Sequence, residues 1–244
     1  MEIIKTENIY KIYKDVVALN DVSLNIEKGK LFGLLGVNGA GKTTLIKILS
    51  GLIKKTSGKA FVLAKDIDTD IDSIKPFISV SPQETAVAPN LTVLENLEFF
   101  ADIYDKKNPE KINEILSAFR LDEVKNKRAK TLSGGYMRRL SIAISLVSEP
   151  EILFLDEPTL GIDVIARREM WKIISALKGK ITIILTSHYL EEIEALCDEV
   201  AILSKGKLLA VGTVDEIKKS TNCTSFEDAF ISVIENSKEV NIND

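Results

Sequence analysis

Histidine, tryptophan and cysteine are nearly absent: the 244 residues hold one His, one Trp and two Cys. Cys197 and Cys223 fall in no metal-type or redox-type spacing, which leaves no zinc or thiol-redox motif and fits the reducing cytosol. No apolar run approaches the roughly 20 residues needed to span a bilayer. Met1-Glu2-Ile3-Ile4-Lys5 leads into a strand pattern rather than a signal peptide. Any membrane attachment is therefore expected to come from partners. Basic charge is not in excess: 32 Lys and Arg stand against 36 Asp and Glu, a net charge of −4. That argues against a general polyanion-binding surface, and no nucleic-acid partner is expected. Only 6 Pro and 13 Gly occur, with no low-complexity tract or internal repeat. A 45% hydrophobic, 28% charged chain of this length describes a globular protein able to bury a sizeable core.

What is present centres on Gly36-Val37-Asn38-Gly39-Ala40-Gly41-Lys42-Thr43-Thr44. The apolar run Leu31 to Leu35 precedes it and the helical pattern Leu45 to Leu49 follows, so it reads as strand, glycine loop, helix. Gly, four residues, then Gly-Lys-Thr is the P-loop spacing. Glycines allow successive N–H groups to turn inward around phosphate oxygens, and the helix start adds its own free N–H groups and positive dipole end. Lys42 supplies a full charge and Thr43 a hydroxyl for Mg²⁺. The pattern points to a polyphosphate nucleotide.

Upstream and downstream of this loop, Ile3 to Ile9, Val16 to Leu19, Val22 to Ile26 and Ala60 to Leu63 read as short strands of a small antiparallel sheet. Tyr10 and Tyr13 are placed between the first two, either stacked on an adenine ring or packed inside. Phe77 to Ser81 reads as a strand ended by Pro82 and followed by Gln83. Thr92-Val93-Leu94-Glu95 has capping-box spacing and opens a helix with Leu94, Leu97, Phe99, Phe100 and Ala101 on its apolar face. Asn108-Pro109 opens a second, with Ile112, Ile115, Leu116 and Phe119 inward. A third starts at Leu132-Ser133-Gly134-Gly135-Tyr136 with Ser133 as N-cap. Its two glycines cost about 2 kcal/mol relative to alanine. They imply either close approach to an anion or tight packing against a neighbouring loop.

Glu151 to Leu155 reads as a strand covered on both faces, carrying Asp156 and Glu157 at its carboxyl end. Neighbours on an extended chain point oppositely, so one carboxylate is free for Mg²⁺ while the other orients an attacking water. Acidic residues there also simply start turns. Asp163 caps a helix over Val164 to Leu177 that Gly179 stops, and capping alone accounts for it. Ile181 to Thr186 forms another buried strand ending at Ser187-His188, and the lone histidine is either structural or catalytic. A hairpin at Lys205-Gly206-Lys207 and two tail helices, near Asp215 to Lys218 and Phe226 to Ile234, complete the chain, with a polar end from Asn236 onward. Four predicted strands thus end at the P-loop, Gln83, Asp156-Glu157 and His188, where α/β sheets bind ligands.

With these residues in place, the chain resembles the ATP-binding subunits of ABC transporters along almost its whole length. Gly36 to Thr44 is similar to their Walker A loop, Gln83 to the Q-loop, Leu132-Ser133-Gly134-Gly135 to the signature motif and Ile152 to Glu157 to Walker B. Leu160 to Asp163 looks like the D-loop, His188 like the switch histidine, and Tyr13 like the adenine-stacking aromatic, with Lys14 where Gly is common. Tyr136 stands where many members have Gln. The runs Ser187 to Asp198 and Ser225 to Phe230 look most like the ATPases of ABC-2 type exporters.

The resemblance implies an α/β P-loop NTPase (RecA-like) with a mostly parallel sheet, an N-terminal antiparallel β subdomain and an inserted helical subdomain. It divides one ABC ATPase domain into a core (residues 1–83 and 148–215), a helical signature subdomain (84–147) and a C-terminal tail (216–244). ATP and Mg²⁺ are the implied cofactors. Lys42 and the backbone of Gly36, Val37, Asn38, Gly39, Ala40, Gly41, Thr43 and Thr44 would hold phosphates. Thr43, Asp156 and Gln83 would serve Mg²⁺, Glu157 would polarise the water, and His188 would sense the γ-phosphate. Ser133, Gly134 and Gly135 would meet ATP held by a second ATPase subunit in a head-to-tail pair, which C₂ symmetry of identical chains permits, and the D-loop Asp163 would be a further nucleotide-binding residue. The implied activity is ATP hydrolysis driving a separate membrane-embedded permease from the cytoplasmic face, exporting a drug, lipid, peptide or similar substrate. Rival readings are a soluble ABC-type ATPase in DNA repair or translation, against which the single cassette, the acidic charge and the missing coiled-coil insertion weigh, and a non-hydrolysing nucleotide-binding module, which Glu157 and His188 disfavour.

Overall fold

The structure is a computed structural model that describes residues 1–239. Two sheets organise it. β1 (Glu2–Tyr13), β2 (Val16–Glu27), β4 (Ser57–Val62) and β5 (Lys65–Asp66) make a four-stranded antiparallel sheet in the order β2-β1-β4-β5. The segments read as separate strands at Val16 to Leu19 and Val22 to Ile26 are one strand, and Tyr10 and Tyr13 lie within β1 rather than between strands. The apparent breaks are bulges. Asn8 (φ 50°) and Asp21 (φ 60°) adopt left-handed backbone and are joined by Asn8 Nδ2 donating to Asp21 Oδ1 at 2.7 Å.

The second sheet has the order β10-β9-β3-β8-β7-β6. β3 (Leu31–Leu35), β6 (Ile78–Ser81), β7 (Ile152–Asp156), β8 (Thr182–Ser187) and β9 (Glu199–Ser204) run parallel, and β10 (Lys207–Gly212) closes one edge antiparallel to β9. Every residue of β3, β7 and β8 is buried, as continuous apolar runs in a doubly covered sheet require. Alternation divides the core in two. Phe32, Leu34, Ile152, Phe154 and Ile184 face the cluster shared with the small sheet and α1 (Lys42–Leu49), while Leu31, Leu35, Leu153, Leu155, Ile183 and Leu185 face the remaining helices.

After the short α2 (Ile71–Ile74) and β6, the chain makes α3 (Val93–Ile103), α4 (Pro109–Ala118) and α5 (Gly134–Leu146) before re-entering the sheet at β7. The Thr92/Glu95 capping box is closed in both directions, and Asn108 caps α4 with Pro109 in its first turn. On α3 the inward face is Val93, Asn96, Leu97 and Ala101; Phe99, expected inside, is exposed. Asn96 replaces it because its amide exchanges hydrogen bonds with the Ala88 backbone and donates to Thr92 O, fastening the preceding loop. α6 (Val164–Ser175) ends ahead of Leu177, and Gly179 (φ 78°) belongs to the following turn, where its N–H donates to Gly29 O. α7 (Leu190–Leu196), α8 (Val214–Ser220) and α9 (Phe226–Glu239) follow. α9 runs past Ile234, so the end expected to fray from Asn236 is helical to Glu239; the remainder of that segment lies outside the described residues.

Phe154 is fully buried at the centre of the cluster between the two sheets. Phe154→Ala is expected to lower unfolding free energy by about 3–5 kcal/mol, measured by urea titration; a loss under about 1 kcal/mol would mean that the cluster collapses around the gap.

Candidate functional site

The parallel register brings the strand ends level. Leu35 pairs with Ser187, Asp156 with Thr186 and Leu155 with Ser81, so Gly36, His188, Glu157 and the segment leading to Gln83 leave from one edge. At Gly36 a Cβ would sit 2.4 Å from Leu203 O, so only glycine lets the chain pass between β3 and β9. Gly41 (φ 107°) then admits the chain to α1, a conformation that a side chain would strain. Lys42 Nζ folds back over the loop and donates to Gly36 O at 2.6 Å and Val37 O at 3.4 Å. α1 has no side-chain cap and no acidic residue in its first turn, whereas Thr92, Ser133, Asp163 and Thr213 cap α3, α5, α6 and α8. Its free N–H groups and positive dipole end face a cavity of about 560 Å³.

Tyr13, Asn38 to Thr44, Gln83, Glu157 and His188 line that cavity, together with Val16, Val17, Ala18 and Leu160. Tyr13 is exposed, with Lys11 Nζ 4.7 Å from its ring centre. Lys14 next to it has φ 49°, which explains a preference for glycine in that turn. Asp156 and Glu157 diverge as expected, but not through extended geometry. Glu157 is left-handed (φ 49°). Its carboxylate meets His188 Nδ1 at 2.6 Å and lies 3.5 Å from Lys42 Nζ. Asp156 Oδ1 accepts from Thr43 Oγ1 at 3.1 Å and Thr186 Oγ1 at 2.6 Å.

This donor set fits a nucleotide with Mg²⁺. Thr43 and Asp156 offer adjacent hard oxygens, and among the described residues no group of three or more His, Cys, Asp or Glu could hold a metal, so Mg²⁺ would depend on water and phosphate for its remaining ligands.

Ser133, Gly134, Gly135 and Asp163 do not join the cavity within one chain. Ser133 and Gly134 are exposed at the tip of α5, where Ser133 Oγ accepts from Tyr136 N. A Cβ on Gly135 would lie 3.0 Å from the Ala166 Cβ, so packing accounts for that glycine, while nothing crowds Gly134. Asp163 accepts from Ile165 N and Ala166 N, each at 2.9 Å.

Three residues at this edge have no counterpart in the sequence reading. Thr186 both donates to Asp156 and accepts from Glu157 N. Arg138, 4% exposed, extends from α5 among backbone carbonyls, and burial lowers its pKa to about 10 against the opposing charges of Asp156 and Glu192. Glu192, 1% exposed, accepts from Thr159 Oγ1 at 2.8 Å and Trp171 Nε1 at 3.0 Å. Strand alternation places Thr186 on the Asp156 side, but a charge on a helix ordinarily reads as surface, and Arg138 and Glu192 carry no local mark.

A family model described as ABC transporter matches residues 19–160, more than half of the chain. The chain belongs to the ABC transporter family. Among relatives of this ABC domain, the daunorubicin/doxorubicin resistance ATP-binding protein DrrA of Streptomyces peucetius is 37% identical over 89% of this chain and 67% of its own length. The probable multidrug ABC transporter ATP-binding protein YbhF of Escherichia coli (strain K12) is 37% identical over 95% of the chain, and the human phospholipid-transporting ATPase ABCA3 is 39% identical over 86%. The chain spans 42% of the former's length and 13% of the latter's. A solved ATP binding subunit of an ABC transporter superposes with a TM-score of 0.84 at 25% identity, covering 95% of this chain and 99% of that one. MJ1267, an ATP-binding cassette in its ADP conformation, gives 0.81 at 28% identity with 95% and 99% covered.

Burial pushes the Glu192 carboxyl above its ordinary 4.5, against hydrogen bonds from Ser187, Thr159 and Trp171 and the charge of Arg167. The folded state therefore holds this proton more tightly than the unfolded chain, and the associated stability is complete below pH 4.5 and lost as pH rises through the higher folded value. Glu192→Gln should gain in thermal midpoint on the wild type from pH 4.5 toward neutrality. A difference independent of pH would show that Glu192 keeps its charge at little cost.

Proposed function

We propose that this chain is the ATP-hydrolysing subunit of an ABC-2 type exporter, pairing head to tail with a second copy and driving a separate membrane-embedded permease from the cytoplasmic face. The observation that carries the reading is the Glu157 carboxylate, held between His188 and Lys42 at the mouth of the glycine-loop cavity. The relatives named for drug resistance and for multidrug and phospholipid transport support a drug or lipid, among the cargoes expected, as what is exported.

When bound, the nucleotide would supply the reacting phosphoryl group and Mg²⁺ would supply positive charge to offset that of the phosphates. Lys42 and the N–H groups from Gly36 to Thr44 would grip the phosphates, and Tyr13 would stack on the base. Thr43 and Asp156 would hold the metal, and Gln83, which lines the same cavity after β6, would serve it as well. Glu157 accepts hydrogen bonding from the attacking water and fixes its direction. His188, on the other side of that carboxylate, holds Glu157 in place and donates toward the γ-phosphate. Ser133, Gly134 and Gly135 would present the tip of α5, uncrowded at Gly134, and Asp163 its adjoining loop, to the nucleotide of the partner copy. On this reading residues 84–147 act as the signature subdomain, residues 1–83 and 148–215 as the core, and residues 216–244 as the tail.

Glu157→Gln is expected to leave nucleotide affinity within about threefold and to slow phosphate release by 10²–10⁴-fold on the order expected for a catalytic base, trapping an ATP-bound dimer on a sizing column. Turnover at the wild-type rate would remove Glu157 from the chemistry. Ser133→Arg placed on that background should bind ATP as a monomer but no longer dimerise; undiminished dimerisation would end the head-to-tail assignment.

A further inference from the structure

Arg138 makes its bonds in an unusual way. It is buried on α5, one turn beyond the Ser133 cap, and none of its donors meets a carboxylate. Nε donates to Pro158 O at 2.9 Å and Nη2 to Asp156 O at 2.8 Å. Nη1 donates to Pro82 O at 2.5 Å and Gln83 O at 3.2 Å. Two of these carbonyls flank Glu157 and the other two belong to Gln83 and the residue before it.

The consequence lies in the Glu157 backbone. A non-glycine residue at φ 49° costs free energy of its own and persists only where the surroundings over-determine it. Here the Glu157 N–H is held by Thr186 Oγ1 at 2.9 Å, and the carbonyls on either side are held by one guanidinium. Thr186 also carries the Asp156 side chain, so β8 and α5 fix the turn from opposite sides. The turn in this conformation directs the Glu157 carboxylate to His188 and Lys42.

We propose that Arg138 is a positioning residue that holds Glu157 and Gln83 in register with one another and with the Ser133 tip of α5, by bonding the backbone on both sides of Glu157 and at Gln83. The rigid planar fork is essential to this task. A lysine brings the same charge but gathers its donors on one nitrogen, which cannot reproduce the separate Nε, Nη1 and Nη2 contacts. The claim about catalysis rests on the hydrolytic reading above; the claim about geometry does not.

The test uses the full chain with Arg138→Lys and Arg138→Gln. Hydrogen exchange in the absence of nucleotide reads the geometry. The hydrogen-bonded amides of Glu157 and Leu160 should exchange about tenfold faster in both variants, while those of α1 and β3 stay at wild-type rates. Steady-state phosphate release reads the chemistry: kcat should fall by about 100-fold, with the affinity for a fluorescent ATP analogue changed less than about twofold and lysine giving little rescue. Unchanged exchange at both amides overturns the positioning role even if the wild type proves not to hydrolyse ATP. Faster exchange with unchanged kcat leaves the geometry and overturns its bearing on catalysis. Uniformly faster exchange throughout the chain in both variants would mean that Arg138 is a general stability element and would also overturn the proposal.

Discussion

Two hydroxyls donating to one buried carboxylate hold the ends of three neighbouring elements together. Asp156 Oδ1 receives Thr43 from the first turn of α1 and Thr186 from β8, while the backbone of Asp156 belongs to β7. Such a carboxylate is costly to bury unless its lone pairs are occupied, and here Asp156 is 6% exposed. The arrangement requires that β3, β7 and β8 run parallel with level ends, and their register provides it. The glycine loop, the Glu157 turn and His188 inherit their relative positions from this junction.

The parts of the site legible in the sequence are those dictated by local backbone chemistry. A loop that must bend its amides inward needs glycines at set intervals, a helix start needs Ser133, Asp163 or Thr92, and a doubly covered strand needs an unbroken apolar run. The parts that were not legible depend on distance along the chain. Arg138 meets carbonyls some fifty residues upstream and some twenty downstream, and nothing in its own helix signals either. Glu192 is buried by partners on α6 and after β7. Asn20-Asp21 has the composition of a turn, yet forms a bulge because Asn8 lies opposite with the same left-handed backbone. Phe99 satisfies helical spacing but loses the inward place to Asn96, whose amide satisfies the backbone of the Ala88 loop.

Charges inside this molecule are arranged by role. Lys42, Glu157 and His188 face open space and one another, so their pairing leaves room for exchange of partners. Arg138 and Glu192 lie behind them, enclosed, with hydrogen bonds to fixed backbone or fixed side chains. Removing one member of an enclosed set strands the other groups without water, which is why such residues behave as frame rather than as reagents.

The chain's one indole also belongs to the enclosed set. Trp171 sits on α6, the helix that follows the Asp163 cap, and its Nε1–H reaches across to Glu192 behind His188. A displacement of α6 against α7 must therefore stretch a bond to a carboxylate directly beside the ring. Because no second tryptophan contributes background, the ultraviolet emission of the unmodified protein becomes a reporter of relative motion between the Asp163 loop and the histidine end of the sheet.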